Sequence, residues 1–398
     1  MNRAHTATGE LTGSSTGPIG EIVSRSGLRI PELDGLRGLA ILLVVICHYV
    51  GDADHAALGF WQDHFLSALS VGWSGVDLFF VLSGFLIGGI LLDSRNSPRY
   101  FRTFYLRRIH RILPIYYAWI AVYVLIAAAI ISLAPGRSGV TGRDLRAVPV
   151  YLFFLQNIIY SPTPFQWRWF TVTWSLAVEE QFYLLAPPLI RLLTVRRLVC
   201  VLAGLVCAAP VLRYLAFRYL AHLYYLPQFA MPCRADAFAL GILAAAGWRW
   251  KVFRDYLDEH PAVLQRCVAY LLLVLAVLMW WFTRPPGLVT FTIGYSALAA
   301  FYTCLLLLVT TQTHGVVARM ARARWLRYLG AISYCVYLIH LTIDIWAHDI
   351  LSHSEPRVSD FRGVGVTLLA GALTWMVASL SRRYFEQPLI RRGHRYAY

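Results

Sequence analysis

The chain has 398 residues, of which 58% are hydrophobic and only 14% charged, and its mean hydropathy is +0.56. A soluble domain carries about 25% charged residues, so this composition excludes an ordinary soluble protein and predicts an all-α integral membrane protein. The formal net charge of +15 does not indicate a nucleic-acid partner. Most of the arginines lie in short segments between apolar runs, where the positive-inside rule accounts for them.

We predict a bundle of about ten transmembrane helices, because apolar runs long enough to cross a bilayer recur along the chain. The predicted spans are residues 38–56, 73–92, 112–133, 176–193, 198–217, 234–250, 268–283, 288–311, 326–351 and 361–383. Most arginines fall on one side of this topology, which predicts a multi-pass protein of the cell membrane with both termini in the cytoplasm.

The chain divides into three predicted parts. Residues 1–30 are polar and are expected to form a flexible cytoplasmic arm. Residues 31–385 form the membrane domain, and residues 386–398 form a basic cytoplasmic tail. Residues 149–160 are too short to span comfortably, and counting them as a span would invert every later loop. We therefore predict that 134–175 is an external excursion with a re-entrant or interfacial helix, whose backbone is buried by protein.

The first span holds two ionisable residues, Arg37 and His48, eleven positions apart. Eleven steps of about 100° return a helix to within about 20° of its starting direction, so the two side chains share one face. The helix rise places His48 roughly 16 Å from Arg37, near mid-bilayer. Ionisable groups at that depth are costly and usually functional. The alternative is an arginine that anchors the membrane surface and a histidine bonded to a neighbouring helix.

Arg108 and Arg111 open the third span and lie three positions apart, on one side of a helix. Guanidinium groups at a membrane mouth suit a multiply charged phosphate ligand, which arginine can bind with two hydrogen bonds. The alternative is ordinary anchoring or contact with lipid head groups.

Glu179 and Glu180 lie at the start of the fourth span. One carboxylate there could stabilise the helix N-terminus through the helix dipole. Two carboxylates, with Glu179 directed inward, indicate a proton acceptor or a partner for a buried arginine or histidine.

Two later spans carry weaker signals. Arg234 and Asp236 open the sixth span, and a structural ion pair is the first interpretation, with a site role second. Tyr337 and His340 share one face of the ninth span, where a helix contact is the first interpretation. The seven cysteines show no metal-ligand spacing, so we expect no metal.

Together these segments resemble the membrane-bound acyltransferase family 3, whose members move acyl groups from coenzyme A to hydroxyls. Asp34 and Asp77 belong to the matching segments. The matching pieces are residues 33–38 with His48, 75–86, 108–114, 174–176 with Glu179, 234–236, and 333–334 with Tyr337 and His340. They occur in the family's order over about residues 30–385, so the expected membrane domain is an acyltransferase domain.

The resemblance implies that acyl-coenzyme A, expected to be acetyl-coenzyme A, approaches the cytoplasmic mouth as the donor. Arg37, Arg108 and Arg111 would then bind its phosphates. His48 is the expected general base, because a neutral imidazole can take a hydroxyl proton near physiological pH. Glu179 would orient His48 or stabilise its charged form. The expected substrate or support residues are Asp34, Asp77, Arg234, Asp236, Tyr337 and His340.

The expected acceptor is a hydroxyl of a carbohydrate, a lipid-linked glycan, or a secondary metabolite such as a macrolide polyketide. A transporter with an intramembrane Arg/His/Glu relay is the alternative of another class. The sequence shows no inverted repeat in its favour. A structural or sensory membrane protein would leave Arg37, His48 and Glu179 unexplained.

Overall fold

A computed structural model describes residues 30–51, 65–66, 68–133, 145–159, 169–220, 223, 226–281, 288–353, 355–356, 358 and 360–398. The regular elements of these residues are helices, which confirms the all-α class. Apart from Ile30, the predicted N-terminal arm lies outside the described residues, and the three-part division of the chain stays a prediction.

The α-helices are numbered here in chain order. In the first half they are α1 (Pro31–Ile46), α2 (Gly75–Asp93), α3 (Tyr100–Leu133), α4 (Val148–Leu152), α5 (Gln156–Ile159), α6 (Trp174–Leu192) and α7 (Val195–Tyr219). In the second half they are α8 (Leu226–Phe229), α9 (Ala235–Arg249), α10 (Lys251–Glu259), α11 (Ala262–Trp281), α12 (Tyr295–Thr311), α13 (Val316–Ala321), α14 (Arg324–Ser352), α15 (Phe361–Ser381) and α16 (Gln387–Gly393).

Within the part of the chain that the structure describes, seven helical stretches are long and apolar enough to cross a membrane. They are Pro31–Val50, Ala68–Asp93, Tyr100–Leu133, Val195–Tyr219, Phe291–Thr311, Arg324–Ser352 and Phe361–Gly393. An eighth is obtained if α10 and α11, which meet at 83°, form one broken span. The two other predicted spans coincide with α6, which carries two glutamates, and α9, which has 15 residues. Each of the ten predicted segments therefore contains a helix, and seven or eight of them meet the length and polarity of a span.

The predicted excursion at 134–175 contains two short helices in its described part. α4 has five residues and α5 has four. A transmembrane helix needs about 20 residues, so neither of them crosses a bilayer. The placement of this segment on the external side stays a prediction.

Glycines allow α1 to pack closely against α14, its most extensive partner. A Cβ atom at Gly38 would overlap the carbonyl oxygen of Leu326, and one at Gly330 would overlap the carbonyl oxygen of Asp34. Small residues at helix interfaces permit this approach inside a membrane, where close packing is a main source of helix association. α2 and α9 pack closely for the same reason: a Cβ atom at Gly241 would overlap the carbonyl oxygen of Val81.

We predict that Gly330→Ala lowers the thermal stability of the purified protein in detergent. The added methyl group would force α14 away from the Asp34 backbone, and overpacking of this kind costs about 1–3 kcal/mol. The matched control is Gly204→Ala in α7, where a Cβ atom meets nothing within 4 Å. Equal melting temperatures for the two variants would show that the α1–α14 contact is not tight.

Candidate functional site

An open cavity of about 620 Å³ lies between the first half of α1, the second half of α2, the cytoplasmic part predicted for α3 and the end of α9. We call it the arginine cavity. Its lining includes Asp34 and five arginines, Arg37, Arg107, Arg108, Arg111 and Arg249. Cavities that bind small ligands and cofactors usually have volumes of about 300–1,000 Å³, so the space suits a ligand of that size.

A smaller inner pocket of about 70 Å³ continues from the arginine cavity. The residues that line both spaces are Arg37, Arg108, Arg111 and Tyr183. The polar residues found only in the inner pocket are Ser175, Glu179, Glu180, Ser333, Tyr334 and Tyr337. Its apolar lining includes Val76, Phe79, Phe80, Ile112 and Leu176. The three arginines predicted from the sequence are thus brought together, at the boundary between the wide space and the narrow one.

The arginines of the cavity differ in whether a carboxylate forms an ion pair with them. Arg249 forms a bidentate pair with Asp93, at 2.7 and 2.8 Å. Within the described residues, Arg37, Arg108 and Arg111 form no ion pair with a carboxylate. The Nε atom of Arg108 is also buried without a hydrogen-bond partner there. Three clustered, uncompensated guanidinium groups with a spare donor fit a ligand that carries several negative charges.

Glu179 faces this boundary, and its hydrogen bonds go to two hydroxyl groups. The Ser83 and Tyr183 side chains both donate to its Oε1 atom. We predicted that Glu179 would contact His48, and this prediction is wrong. The carboxylate is bonded instead to the hydroxyl groups of Ser83 in α2 and Tyr183 in α6. In this arrangement Glu179 fixes Tyr183, which forms part of the wall of both spaces.

His48 pairs instead with His340, across the α1–α14 interface. His48 belongs to a π-helical turn, Cys47–Gly51, that continues α1; such turns are frequent at functional sites. The His48 Nδ1 and His340 Nε2 atoms are 3.0 Å apart, and His340 is fully buried. The two histidines that the sequence placed on separate spans therefore form one unit.

The backbone determines which nitrogens of this pair carry protons. The Nδ1 atom of His340 lies 3.0 Å from the Val336 carbonyl and 2.9 Å from the Tyr337 carbonyl. Carbonyl oxygens only accept, so Nδ1 carries the proton and Nε2 of the neutral ring carries the lone pair. That lone pair accepts the Nδ1 proton of His48. The lone pair of neutral His48 is then on Nε2, the position from which it can act as a base.

Tyr337 connects the inner pocket to the histidine pair. Its ring lies 6.0 Å from that of His340, and its hydroxyl donates to the Val172 carbonyl at 2.8 Å and is hydrogen-bonded to Ser175. His48 is not among the residues that line the arginine cavity or the inner pocket. The order from the cavity is therefore the three arginines, Tyr337, His340 and His48.

The remaining predicted site residues lie in buried ion pairs outside both spaces. Arg234 pairs with Asp77, and its guanidinium lies 3.9 Å from the centre of the Tyr295 ring. Asp236 pairs with Arg213, at 2.9 Å. Among the described residues, Arg234 and Asp236 thus do not pair with each other. Each forms a structural ion pair with a residue of another helix, Asp77 of α2 and Arg213 of α7 respectively.

Four functional or supporting residues escaped the sequence analysis. Arg213 carried a usable signal, because an arginine inside the apolar run of α7 is costly unless it is paired. Tyr183 carried a local signal as well, because it lies one helical turn after Glu179. Ser83 and Ser175 lie within the matching segments but were not singled out, since single hydroxyl groups in apolar spans are common. Among the described residues, no group of three or more His, Cys, Asp or Glu side chains is placed to hold a metal ion.

Comparison with known proteins agrees with this arrangement. A family model described as an acyltransferase domain matches residues 30–380. The chain belongs to the acyltransferase 3 family. The resemblance seen in the sequence motifs is thereby confirmed, and the three arginines and the histidine pair lie within the matched residues.

Two proteins to which this chain is similar have names that describe acetyl transfer. The peptidoglycan O-acetyltransferase OatA of Listeria monocytogenes is 26% identical over 388 residues, which cover 92% of this chain and 56% of the relative. The O-acetyltransferase OatA of Staphylococcus aureus is 24% identical over 381 residues, which cover 92% of this chain and 58% of the relative. The chain thus spans a little more than half the length of these relatives. No solved structure matches it.

We predict that Asp236→Leu destabilises the protein by about 3–5 kcal/mol, because it leaves Arg213 charged and fully buried without its partner. Adding Arg213→Met should recover most of the loss, since an apolar pair often replaces a buried ion pair at little cost. Thermal unfolding in detergent measures both effects. A double variant as unstable as Asp236→Leu would contradict the assignment of these residues to a structural pair.

Proposed function

We propose that this chain is an O-acetyltransferase of the cell membrane that moves an acetyl group from acetyl-coenzyme A to a hydroxyl of a cell-envelope carbohydrate. The observation that carries the proposal is the succession of three arginines without a carboxylate ion pair, a narrow pocket lined by Tyr337, and a hydrogen-bonded histidine pair whose His340 ring lies 6.0 Å from that of Tyr337. Family membership supports acyl transfer over the transporter alternative. The names of the relatives favour a glycan over a macrolide as the acceptor.

The arginine cavity suits the nucleotide half of the donor. Arg37, Arg108 and Arg111 would bind the phosphate oxygens, which planar guanidinium groups can grip bidentately. The inner pocket suits the pantetheine arm, because it is narrow and combines hydroxyl groups, which can bond the amides of the arm, with apolar side chains that pack against its methylene groups. The arm would carry the thioester past Tyr183 towards Tyr337 and the histidine pair.

The histidine pair suits the proton transfer. His48 Nε2 would take the proton of the acceptor hydroxyl as its oxygen attacks the thioester carbonyl carbon. The carbon–oxygen bond forms, the carbon–sulfur bond breaks, and the proton passes from His48 to the departing thiolate. His340 would hold His48 in the required tautomer and stabilise the ring when it is charged. Glu179 would position Tyr183 at the pocket entrance.

The proposed orientation places the arginine cavity towards the cytoplasm, with both termini on that side. The asymmetric distribution of arginines between the loops supports this orientation. The donor would then enter from the cytoplasm, and His48, about 16 Å further along α1 by the helix rise, would meet the acceptor deeper in the membrane.

The decisive experiment measures thiol release by the purified protein with acetyl-coenzyme A. We expect release that rises with the concentration of a glycan acceptor, such as a muramic-acid oligosaccharide, and that falls by about 10²–10⁴-fold in His48→Ala, the range typical of general base catalysis. Retained binding of coenzyme A by His48→Ala controls for folding. No thiol release with any sugar, lipid or polyketide acceptor, together with solute transport in proteoliposomes, would establish the transporter alternative.

We predict that His340→Ala lowers kcat by at least about tenfold and leaves the affinity for coenzyme A unchanged, because His48 loses the acceptor that fixes its tautomer. His340→Gln should retain more activity, since its amide oxygen can also accept the Nδ1 proton of His48. Steady-state kinetics of both variants test this. Equal loss in the two variants would contradict the hydrogen-bond role and leave only a packing role.

We predict that Arg37→Lys weakens coenzyme A binding by about tenfold or more, which corresponds to about 1.4 kcal/mol. Lysine keeps the charge and loses the planar fork that holds two phosphate oxygens. Calorimetry on the detergent-solubilised protein measures the affinity. Arg383→Lys, on the exposed π-helical segment Arg382–Glu386, serves as the matched control. An unchanged affinity of Arg37→Lys for coenzyme A would contradict the phosphate-binding role and leave Arg37 with the role of a membrane anchor.

A further inference from the structure

The segment after α16 forms a wall of the arginine cavity, beyond the residues that the family model matches. The Thr103 hydroxyl donates to the Ala397 carbonyl at 2.8 Å, and Arg107 Nε donates to the Tyr396 carbonyl at 2.9 Å. These two bonds to α3 hold the backbone of the two residues that precede Tyr398. Tyr398 lines the cavity as a result.

Tyr398 presents an aromatic ring beside a cation at the outer part of this cavity. The Arg107 guanidinium lies 4.9 Å from the centre of the ring. Burial raises the pKa of the phenol, so the ring carries no negative charge that would repel phosphate. A fixed, neutral ring of this kind is a stacking platform for a nucleobase.

The order of groups along the cavity matches the order of groups along the donor. The inner end, shared with the inner pocket, holds the three uncompensated arginines. The outer end is formed by Tyr398 and by the polar connection between α2 and α3, which includes Asn96 and Ser97. If the pantetheine arm occupies the inner pocket and the diphosphate lies at the arginines, the adenosine can only extend outwards.

We propose that Tyr398 is the stacking platform for the adenine base of the acyl-coenzyme A donor. The inference rests on the proposed function, and it adds a subsite that recognises the nucleobase. Arg107 is a positioning residue in this subsite: its guanidinium group lies against the Tyr398 ring, and its Nε atom donates to the Tyr396 carbonyl. The base stacks on Tyr398 and contributes binding energy without touching the reacting atoms.

The test compares a ligand that contains adenosine with one that lacks it. The affinities of coenzyme A and of 4′-phosphopantetheine are measured on the full chain by competition with labelled coenzyme A. We expect Tyr398→Ala to weaken coenzyme A binding by roughly tenfold to a hundredfold, the range seen when a stacking ring is removed, and to leave 4′-phosphopantetheine binding unchanged. Tyr398→Phe keeps the ring and should stay close to the wild type.

Tyr384→Ala is the matched control. Tyr384 also lies beside an arginine, with the Arg383 guanidinium 5.3 Å from the ring centre, but it is exposed and does not line the cavity. Equal weakening of both ligands by Tyr398→Ala, or of neither, would overturn the subsite and leave the proposed function intact. A wild-type protein that binds no coenzyme A would overturn the proposed function and the subsite together.

Discussion

The close contact of α1 with α14 is the constraint on which the rest of the site depends. Gly38 and Gly330 remove the side chains that would keep the two backbones apart. At one end of this contact α1 presents Arg37 to the arginine cavity, and beyond its other end the π-helical turn brings His48 within 3.0 Å of His340. A single helix pair thus fixes the positions of both Arg37 at the cavity and the histidine pair.

In the proposed mechanism, backbone geometry prepares a base inside the membrane. The carbonyls of Val336 and Tyr337 determine the tautomer of His340, and His340 in turn determines that of His48. The proposed base therefore depends on His340 of α14, which need not touch the substrate itself. The proposed role of the arginines depends instead on the absence, among the described residues, of an ion pair between them and a carboxylate.

The sequence predicted what lies along one helix and failed on what lies between helices. Apolar runs located a helix in each of the ten predicted segments, because that signal is local. That Arg37 and His48 share one face stays a prediction, since His48 lies in a π-helical turn beyond the end of α1. The partner predicted for Glu179 was wrong, since no local pattern shows that Ser83 of another helix would reach its carboxylate. The division of Arg234 and Asp236 between separate ion pairs was missed for the same reason.

The most direct test of the account is an experimental structure of the protein with a ketone analogue of acetyl-coenzyme A, in which a methylene group replaces the thioester sulfur and prevents cleavage. The account predicts phosphate oxygens within hydrogen-bond distance of Arg37, Arg108 and Arg111, and the ketone carbonyl in the inner pocket beside Tyr337. Phosphates bound outside the arginine cavity, or an arm directed away from the histidine pair, would contradict it.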